Sequence, residues 1–279
     1  MTASPVPSRR NRSEGYGRTS RMYDLPDGSV LPSVTTILSA INKPALINWA
    51  AKVEREAIMK AAGELWEDIP WPKDGRAVPK MTAMAFLATL NDRVGTEKAN
   101  AKIRNKAGDI GSEIHALAEW TLRQELGQQV GPRPKASEQG EWGFMAWEDW
   151  RKSVNMVPKL IEQTCWSTKN GYAGTFDLLC EMDTPVGAAH GRGIVLTDWK
   201  SGKAIYAEQR LQIAAYCEAV LEMGHAERPL HGLIVRVPKN IGDPDFETKF
   251  LPQSELTELF KVFLAVKQLW KWLEGVKGL

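Results

Sequence analysis

The sequence predicts a mixed α/β fold, of the looser α+β kind, with a small mixed β-sheet flanked by helices and a helical N-terminal lobe. Two observations predict it. Apolar residues recur at helical spacing between residues 33 and 126. From about residue 160 onwards, short strand-like runs separated by turn residues replace that pattern. The element order of the second half is predicted to be βββαββα.

Helix-capping residues and helix-breaking residues divide the N-terminal half into separate predicted helices. Ser33 precedes an apolar run and is a suitable N-cap, and Pro44 begins a long amphipathic segment. The prolines and glycine of residues 67–80 predict a loop. Residues 81–94 predict a short helix, and residues 96–126 predict either one bent helix or two.

The strand-rich half begins with a hairpin. Residues 160–168 and 172–182 read as strands, and Asn-Gly at 170–171 between them is a strong hairpin signal. A ten-residue connection leads to a third strand over 193–200, so that this second pairing is expected to be irregular. The remaining elements are a helix over residues 207–223, strands over 231–238 and 246–252, and a C-terminal helix.

Composition excludes several classes of protein. The chain has 279 residues, 43% hydrophobic and 25% charged, as in ordinary globular proteins. No run approaches the ~18 apolar residues of a membrane span, so no membrane partner is expected. Three separated cysteines exclude a disulfide framework and a four-cysteine zinc or iron–sulfur site within this chain. With an N-terminus that lacks the apolar segment of a secretory signal, this favours a cytosol-like compartment.

The net charge of +2 is unevenly distributed. Residues 1–22 carry five arginines against one glutamate, a local charge of +4, which leaves about −2 for the remainder. A strongly basic protein that coats nucleic acid is therefore excluded, whereas a local basic path is not. Residues 1–22 are predicted to form a disordered basic arm, which either is a solvated tail or touches phosphate groups.

Two carboxylates and a lysine on the predicted strands carry the chemistry. Asp198 and Lys200 lie two residues apart on one strand and so project from the same face. If the neighbouring strand pairs with it, Asp177 approaches Asp198, and close carboxylates repel unless a divalent cation lies between them. A lysine there can orient an attacking water or stabilise charge on a phosphate. The set suits metal-assisted phosphodiester hydrolysis; the alternative is ordinary solvent-facing strand residues.

Two helical pairs accompany this set. His115 and Glu119 lie at i, i+4, with Gly111 one turn earlier, where a backbone or ligand can approach closely. Gln212 and Tyr216 also lie at i, i+4 and face one way. The alternative for each is an ordinary core or surface residue.

Four motifs in this order resemble the RecB-type branch of the PD-(D/E)xK nuclease superfamily. That branch includes the RecB nuclease domain, phage and CRISPR-associated RecB-like exonucleases and the mitochondrial genome-maintenance exonuclease, to whose N-terminal region PSVTTIL at 32–38 is also similar. The resemblance covers roughly residues 30–220 and implies a restriction-endonuclease-like core. The motifs are GxxxH (Gly111 to His115), GTFD (Gly174 to Asp177), DWKSGK (Asp198 to Lys203) and QxxxY (Gln212 to Tyr216).

The resemblance implies roles in metal binding and catalysis. His115, Asp177 and Asp198 would bind Mg²⁺ or Mn²⁺, with the backbone carbonyl of Trp199 as a further ligand. Lys200 would be the catalytic lysine, and Asp198 stands where many members have glutamate. CRISPR-associated members commonly hold an iron–sulfur cluster through four cysteines. This chain has only three cysteines, and they are scattered, so no cluster is expected here.

The resemblance also implies contacts beyond the metal ligands. Gln212 and Tyr216 would support the site or contact the DNA strand, and Ser33 and Thr35 would lie near the DNA path. A basic helical segment before the histidine is expected to draw a phosphate backbone inward, with salt-sensitive affinity, unless it is only a solvated helix face. Its residues are Lys98, Lys102, Arg104 and Lys106.

The predicted organisation is therefore an arm followed by a single RecB-like nuclease domain over residues 23–279. Within it we expect a helical lobe at 23–110, a catalytic core at 111–250 and a C-terminal helix at 251–279.

The predicted function is that of a Mg²⁺- or Mn²⁺-dependent exodeoxyribonuclease that acts on single-stranded DNA or duplex ends. Phage-type recombination, repair or degradation in a bacterial host cytosol is the expected setting, with a single-strand-binding or recombination protein as a candidate second partner. The alternatives are a structure-specific endonuclease of the same fold and a non-catalytic nuclease-like DNA-binding module. The retention of all four chemical groups, at positions 115, 177, 198 and 200, argues against the module.

Overall fold

The structure is a computed structural model that describes residues 8–14, 18–41, 44–68, 83–185, 191–239, 243 and 246–276. The mixed α/β class is confirmed, with helices flanking a five-stranded mixed sheet. The chain divides into two compact units, Asn42–Asp109 and the combination of Met1–Ile41 with Ile110–Leu279. Across the described ranges, no helix is both long enough and apolar enough to cross a membrane.

The N-terminal segment forms a small antiparallel sheet of β1 (Ser8–Glu14), β2 (Arg18–Asp24) and β3 (Val30–Pro32). The prediction of a disordered arm is therefore wrong for these parts of residues 1–22, while residues 1–7 and 15–17 lie outside the described ranges. Pairing between strands satisfies the backbone groups, so an arginine-rich sequence without apolar alternation can still form strands.

Ser33 follows this sheet and caps the short helix α1 (Val34–Leu38), because its hydroxyl accepts a hydrogen bond from the Thr36 amide at 2.9 Å. The N-cap predicted at this serine is confirmed. Val34 and Ile37 are fully buried in the core of the larger unit. Residues 23–41 therefore belong to the core unit, not to a helical lobe that begins at residue 23.

The helical unit contains α2 (Pro44–Glu67), α3 (Ala83–Val94) and the start of α4 (Ala99–Glu125). The carboxylate of Glu54 accepts hydrogen bonds from the amides of Ala99 and Asn100, each at 3.1 Å, and so caps the start of α4. The segment that predicted one bent helix or two is a single helix. Most of the predicted loop at 67–80 lies outside the described residues.

The larger unit continues with α5 (Glu138–Ser153) and then the main sheet, whose strands run in chain order. Neighbouring strands are antiparallel except β6 and β7, which are parallel. A parallel pair needs a crossover, and α6 supplies it. The elements are β4 (Val157–Ser167), β5 (Tyr172–Asp183), β6 (Arg192–Lys200), α6 (Ala207–Glu222), β7 (Leu230–Arg236), β8 (Glu247–Leu251) and α7 (Gln253–Gly275).

The order βββαββα and the hairpin at Gly171, where φ is 64°, are as predicted. One face of the sheet packs against α1, α6 and α7, and the other packs against α4 and α5. Each face buries a separate apolar cluster, so the sheet is the middle of three layers.

Candidate metal centre

The pairing of β5 with β6 brings the two predicted carboxylates together. Leu178 lies opposite Thr197, which places Asp177 beside Asp198 in the register. Asp177 Oδ2 accepts a hydrogen bond from the Trp199 amide at 2.7 Å. The strand pairing on which the predicted site depends is therefore present in spite of the long connection.

Asp198 and Lys200 face the same side of the sheet, as the strand spacing predicts. The Lys200 ammonium contacts Asp198 Oδ2 in an ion pair. The neighbouring Leu196 packs in the cluster beneath α6, whereas Trp199 packs in the cluster beneath α4 and α5. Asp198 and Lys200 thus lie on the α6 side of the sheet.

His115 approaches from α4, on the other side. Its Nε2 lies 3.2 Å from the carbonyl oxygen of Trp199, and its Nδ1 lies 3.4 Å from Oδ1 of Asp177. Two adjacent ligands of an octahedral ion at ~2.1 Å are about 3.0 Å apart, close to both separations. The separation between Nε2 and the Trp199 carbonyl oxygen is therefore that of two ligands of one ion, whereas Asp177 Oδ1 faces the other nitrogen of the ring.

A third carboxylate, that of Glu162 on β4, belongs to the same cluster. Glu162 Oε1 lies 3.7 Å from Nδ1 of His115. Each of His115, Glu162 and Asp177 offers one ligand atom, and these three atoms lie within 4.8 Å of one another. Glu162 could not be predicted from the sequence, because a lone glutamate in a strand has no motif around it.

The backbone explains how Glu162 reaches the site. Glu162 has a φ of 45°, in the left-handed region that costs a non-glycine residue about 1–2 kcal/mol. Glu162 lies opposite Asp177 in the pairing of β4 with β5. At this point the regular alternation of side chains along β5 is interrupted, because Phe176 packs beneath α6 whereas Leu178 packs beneath α4. Regular alternation would put both on one face. The irregularity frees Glu162 and Asp177 to turn towards the histidine.

Burial is graded across the cluster. The side chains of Asp177 and Asp198 are 9% and 4% exposed, whereas those of His115 and Lys200 are 32% and 22% exposed. The two aspartates lie at the bottom, and the histidine, the lysine and Glu162 lie nearer the solvent. A phosphate can approach the lysine without unfolding the site.

The charges nearly balance around a divalent cation. Three carboxylates, those of Asp177, Asp198 and Glu162, face one lysine, which leaves two negative charges when the histidine is neutral. One divalent cation compensates them. Carboxylate and carbonyl oxygens with a single imidazole suit Mg²⁺ or Mn²⁺ better than a soft metal, which favours thiolates.

The ionisation of the cluster follows from these contacts. Burial lowers the pKa of His115, but Asp177 and Glu162 outweigh it and raise the pKa to about 10. Burial raises the pKa of Asp198 to about 6, although Lys200 acts against this shift. An ion bound through the imidazole would therefore displace a proton from it.

Lys200 stays charged. Burial lowers the pKa of its ammonium, but the charges of Asp198 and Asp177 reverse this effect and raise the pKa above the usual value. A protonated lysine cannot accept a proton at neutral pH. Of the two roles open to it, the structure favours stabilising negative charge over removing a proton from water.

Gln212 and Tyr216, the predicted pair on α6, support the carboxylate of Asp198. Gln212 Nε2 donates to Asp198 Oδ1 at 3.3 Å and to the Tyr216 hydroxyl at 3.0 Å. Both residues are buried, which favours support of the site over contact with a DNA strand. The ring of Tyr216 packs against Gly174 so closely that a Cβ on this glycine would overlap it. This contact explains the glycine of the GTFD motif.

The close approach predicted at Gly111 is made by a side chain. A Cβ on Gly111 would lie 2.6 Å from Oγ of Ser201, the residue that follows Lys200. The absence of a side chain at this position lets α4 pack against the end of β6, so that His115 reaches Trp199.

The structure bears differently on the individual residues that were predicted to contact DNA. The Ser33 hydroxyl is buried and is used within the protein, as the cap of α1, so that a direct contact from it to DNA is not supported. Thr35 is exposed and stays a prediction. The basic segment lies in the helical unit, and all four of its residues are exposed: Lys98, Lys102, Arg104 and Lys106. Their role in DNA binding also stays a prediction.

No protein-family model matches the chain, and a comparison with curated proteins finds no match either. The functional class therefore rests on the residues of the site and on their geometry.

Proposed function

We propose that this protein is a Mg²⁺- or Mn²⁺-dependent DNA exonuclease that hydrolyses phosphodiester bonds in single-stranded DNA or at duplex ends. The observation that carries the proposal is the convergence of His115, Asp177, Asp198 and Lys200 at one end of the sheet. These residues are far apart in the sequence and come from three different elements. The RecB-type resemblance of the motifs supports the choice of an exonuclease.

In this proposal His115, Asp177, Asp198 and the Trp199 carbonyl hold the cation. When bound, the cation supplies a Lewis acid that polarises the phosphate and lowers the pKa of a coordinated water. The buried carboxylates fix its position, because Asp177 is held by the Trp199 amide and Asp198 by Gln212.

Lys200 acts on the substrate in this scheme. Its side chain is partly exposed, and its charged ammonium offers hydrogen bonds to a phosphate oxygen on which negative charge develops during attack. The salt bridge with Asp198 holds the lysine in place before substrate binds. The leaving oxygen takes its proton from solvent, since the histidine and the lysine are both committed to other contacts.

The biological setting stays a prediction. A role in phage-type recombination, repair or degradation, in a bacterial cytosol and alongside a single-strand-binding or recombination protein, is proposed from the resemblance alone.

End-labelled single-stranded DNA, linear duplex and covalently closed circular DNA, each incubated with Mg²⁺, Mn²⁺ or EDTA, test the proposal. We expect the labelled linear substrates to be degraded with either metal, to survive in EDTA, and the closed circle to stay intact. Asp198→Asn protein purified in parallel excludes a contaminating nuclease. Cutting of the circle would replace the exonuclease with an endonuclease, and intact DNA in every metal-containing reaction would contradict nuclease activity.

A further inference from the structure

The two nitrogens of His115 face different groups. Nε2 points to the Trp199 carbonyl, which is one of the proposed ligands, at 3.2 Å. Nδ1 faces two carboxylates, Asp177 Oδ1 at 3.4 Å and Glu162 Oε1 at 3.7 Å. An imidazole binds an ion through one nitrogen, so the other nitrogen needs a separate partner.

Asp177 is already committed. Its Oδ2 accepts the Trp199 amide, and its Oδ1 is the atom that the proposed ion would use. Glu162 has no assigned role in the proposed reaction, yet its carboxylate lies on the Nδ1 side of the ring. It is the group left to receive the Nδ1 proton.

The backbone beside Glu162 is tied to the helix that carries His115. Arg123, two turns further along α4, donates from Nη2 to the Ile161 carbonyl at 3.3 Å. The same arginine is held by Glu119 at 2.7 Å. The left-handed residue on β4 and the histidine on α4 are thereby kept in a fixed relation.

We propose that Glu162 is a positioning residue: it accepts the Nδ1–H of His115 and so keeps Nε2 free and aimed at the ion. The inference rests on the proposed function. Histidines that bind metals generally donate their second ring N–H to a carboxylate, a carbonyl or water, and loss of such a partner typically costs about 10–100-fold in metal affinity. The present 3.7 Å separation is expected to shorten to hydrogen-bond length once Asp177 Oδ1 turns to the ion.

The tautomer of His115 tests this directly. The chain has four histidines, so the ¹⁵N-labelled imidazole signals of the full chain with Mg²⁺ are few, and His115→Ala assigns the relevant one. We expect the wild type to show the Nδ1–H tautomer, Glu162→Gln to keep it through its amide oxygen, and Glu162→Ala to show it only at higher Mg²⁺ concentration, because its imidazole binds the ion more weakly. An Nε2–H tautomer in the wild type would overturn the proposal. This outcome is read from the wild-type protein alone, so it does not depend on whether a Glu162 variant folds.

Calorimetric titration with Mn²⁺ gives the second readout. Affinity should fall about 10-fold or more in Glu162→Ala and recover most of the way in Glu162→Gln. Glu181→Ala is a matched control, because Glu181 is a carboxylate of the same sheet that pairs with Lys159 and Arg192 instead of His115. If Glu162→Ala binds Mn²⁺ with wild-type affinity, the proposed positioning role is contradicted.

Asp198→Asn distinguishes a failure of the positioning role of Glu162 from a failure of the proposed ion site. If it abolishes Mn²⁺ binding while Glu162→Ala does not weaken it, the positioning role fails and the proposed function stands. If Asp198→Asn also binds Mn²⁺ as the wild type does, the proposed ion site itself fails.

Discussion

Lys200→Met is expected to lower the rate of DNA cleavage by about 10²–10³-fold or more, the typical cost of removing a preorganised group that stabilises transition-state charge. The ammonium is kept charged by Asp198 and Asp177, and the lysine side chain is partly exposed beside the buried carboxylates. Methionine keeps an unbranched stem of similar length but carries no charge. The loss should therefore appear in kcat, measured on end-labelled single-stranded DNA with saturating Mg²⁺.

Two controls accompany this variant. DNA binding in EDTA, followed by fluorescence anisotropy, should stay near the wild-type value, because one of many basic groups is removed. Lys159→Met removes a lysine from the same sheet that pairs with Glu181, and it should cut normally. If Lys200→Met cleaves at the wild-type rate, the lysine has no part in the chemistry.

Asp198→Asn is expected to weaken Mn²⁺ binding by at least about 100-fold and to abolish cleavage. Losses of 10–100-fold are typical when only an outer partner of a metal ligand is lost, and a direct ligand should cost more. Burial raises the pKa of Asp198 to about 6, so the carboxylate is charged at pH 8 and the variant removes a real negative charge. Calorimetry at pH 8 measures the change in affinity.

Asparagine keeps the shape of this side chain and can still accept the Gln212 hydrogen bond, so the fold should persist. Thermal unfolding checks this point. Asp183→Asn is the matched control: this carboxylate lies at the end of β5 and pairs with Arg192. An Asp198→Asn protein that binds Mn²⁺ as tightly as the control does would contradict the proposed ligand set.

Most of the main sheet could be predicted because its local signals agree. The Asn-Gly turn, the strand-like runs on each side of it and the helix that returns the chain each predict the same topology. The pairing of β5 with β6 was only a condition of the predicted site, because a ten-residue connection separates the two strands in the sequence, and the structure shows that they pair. The small N-terminal sheet could not be predicted, because β1 consists of polar and charged residues and its stability comes from backbone pairing that composition does not reveal.

Some residues of the candidate site could likewise be predicted from the sequence, and others could not. His115, Asp177, Asp198 and Lys200 stand in short motifs with fixed spacing, and the structure places His115 beside Asp177 and, on the neighbouring strand, Lys200 beside Asp198. The placement of Glu162 depends on its own left-handed backbone opposite Asp177 and on the contact of Arg123 of α4 with Ile161, neither of which has a local signature in the sequence. Ser33 shows the reverse: its motif was visible, but its hydroxyl is used in capping a helix.

The position of the bound ion is the most direct test of the account. Anomalous scattering from crystals grown with Mn²⁺ should give a peak about 2.1–2.4 Å from His115 Nε2, the Trp199 carbonyl oxygen and the carboxylates of Asp177 and Asp198. A crystal with saturating Mn²⁺ and no peak among these four groups would contradict the metal centre and the hydrolysis proposed from it.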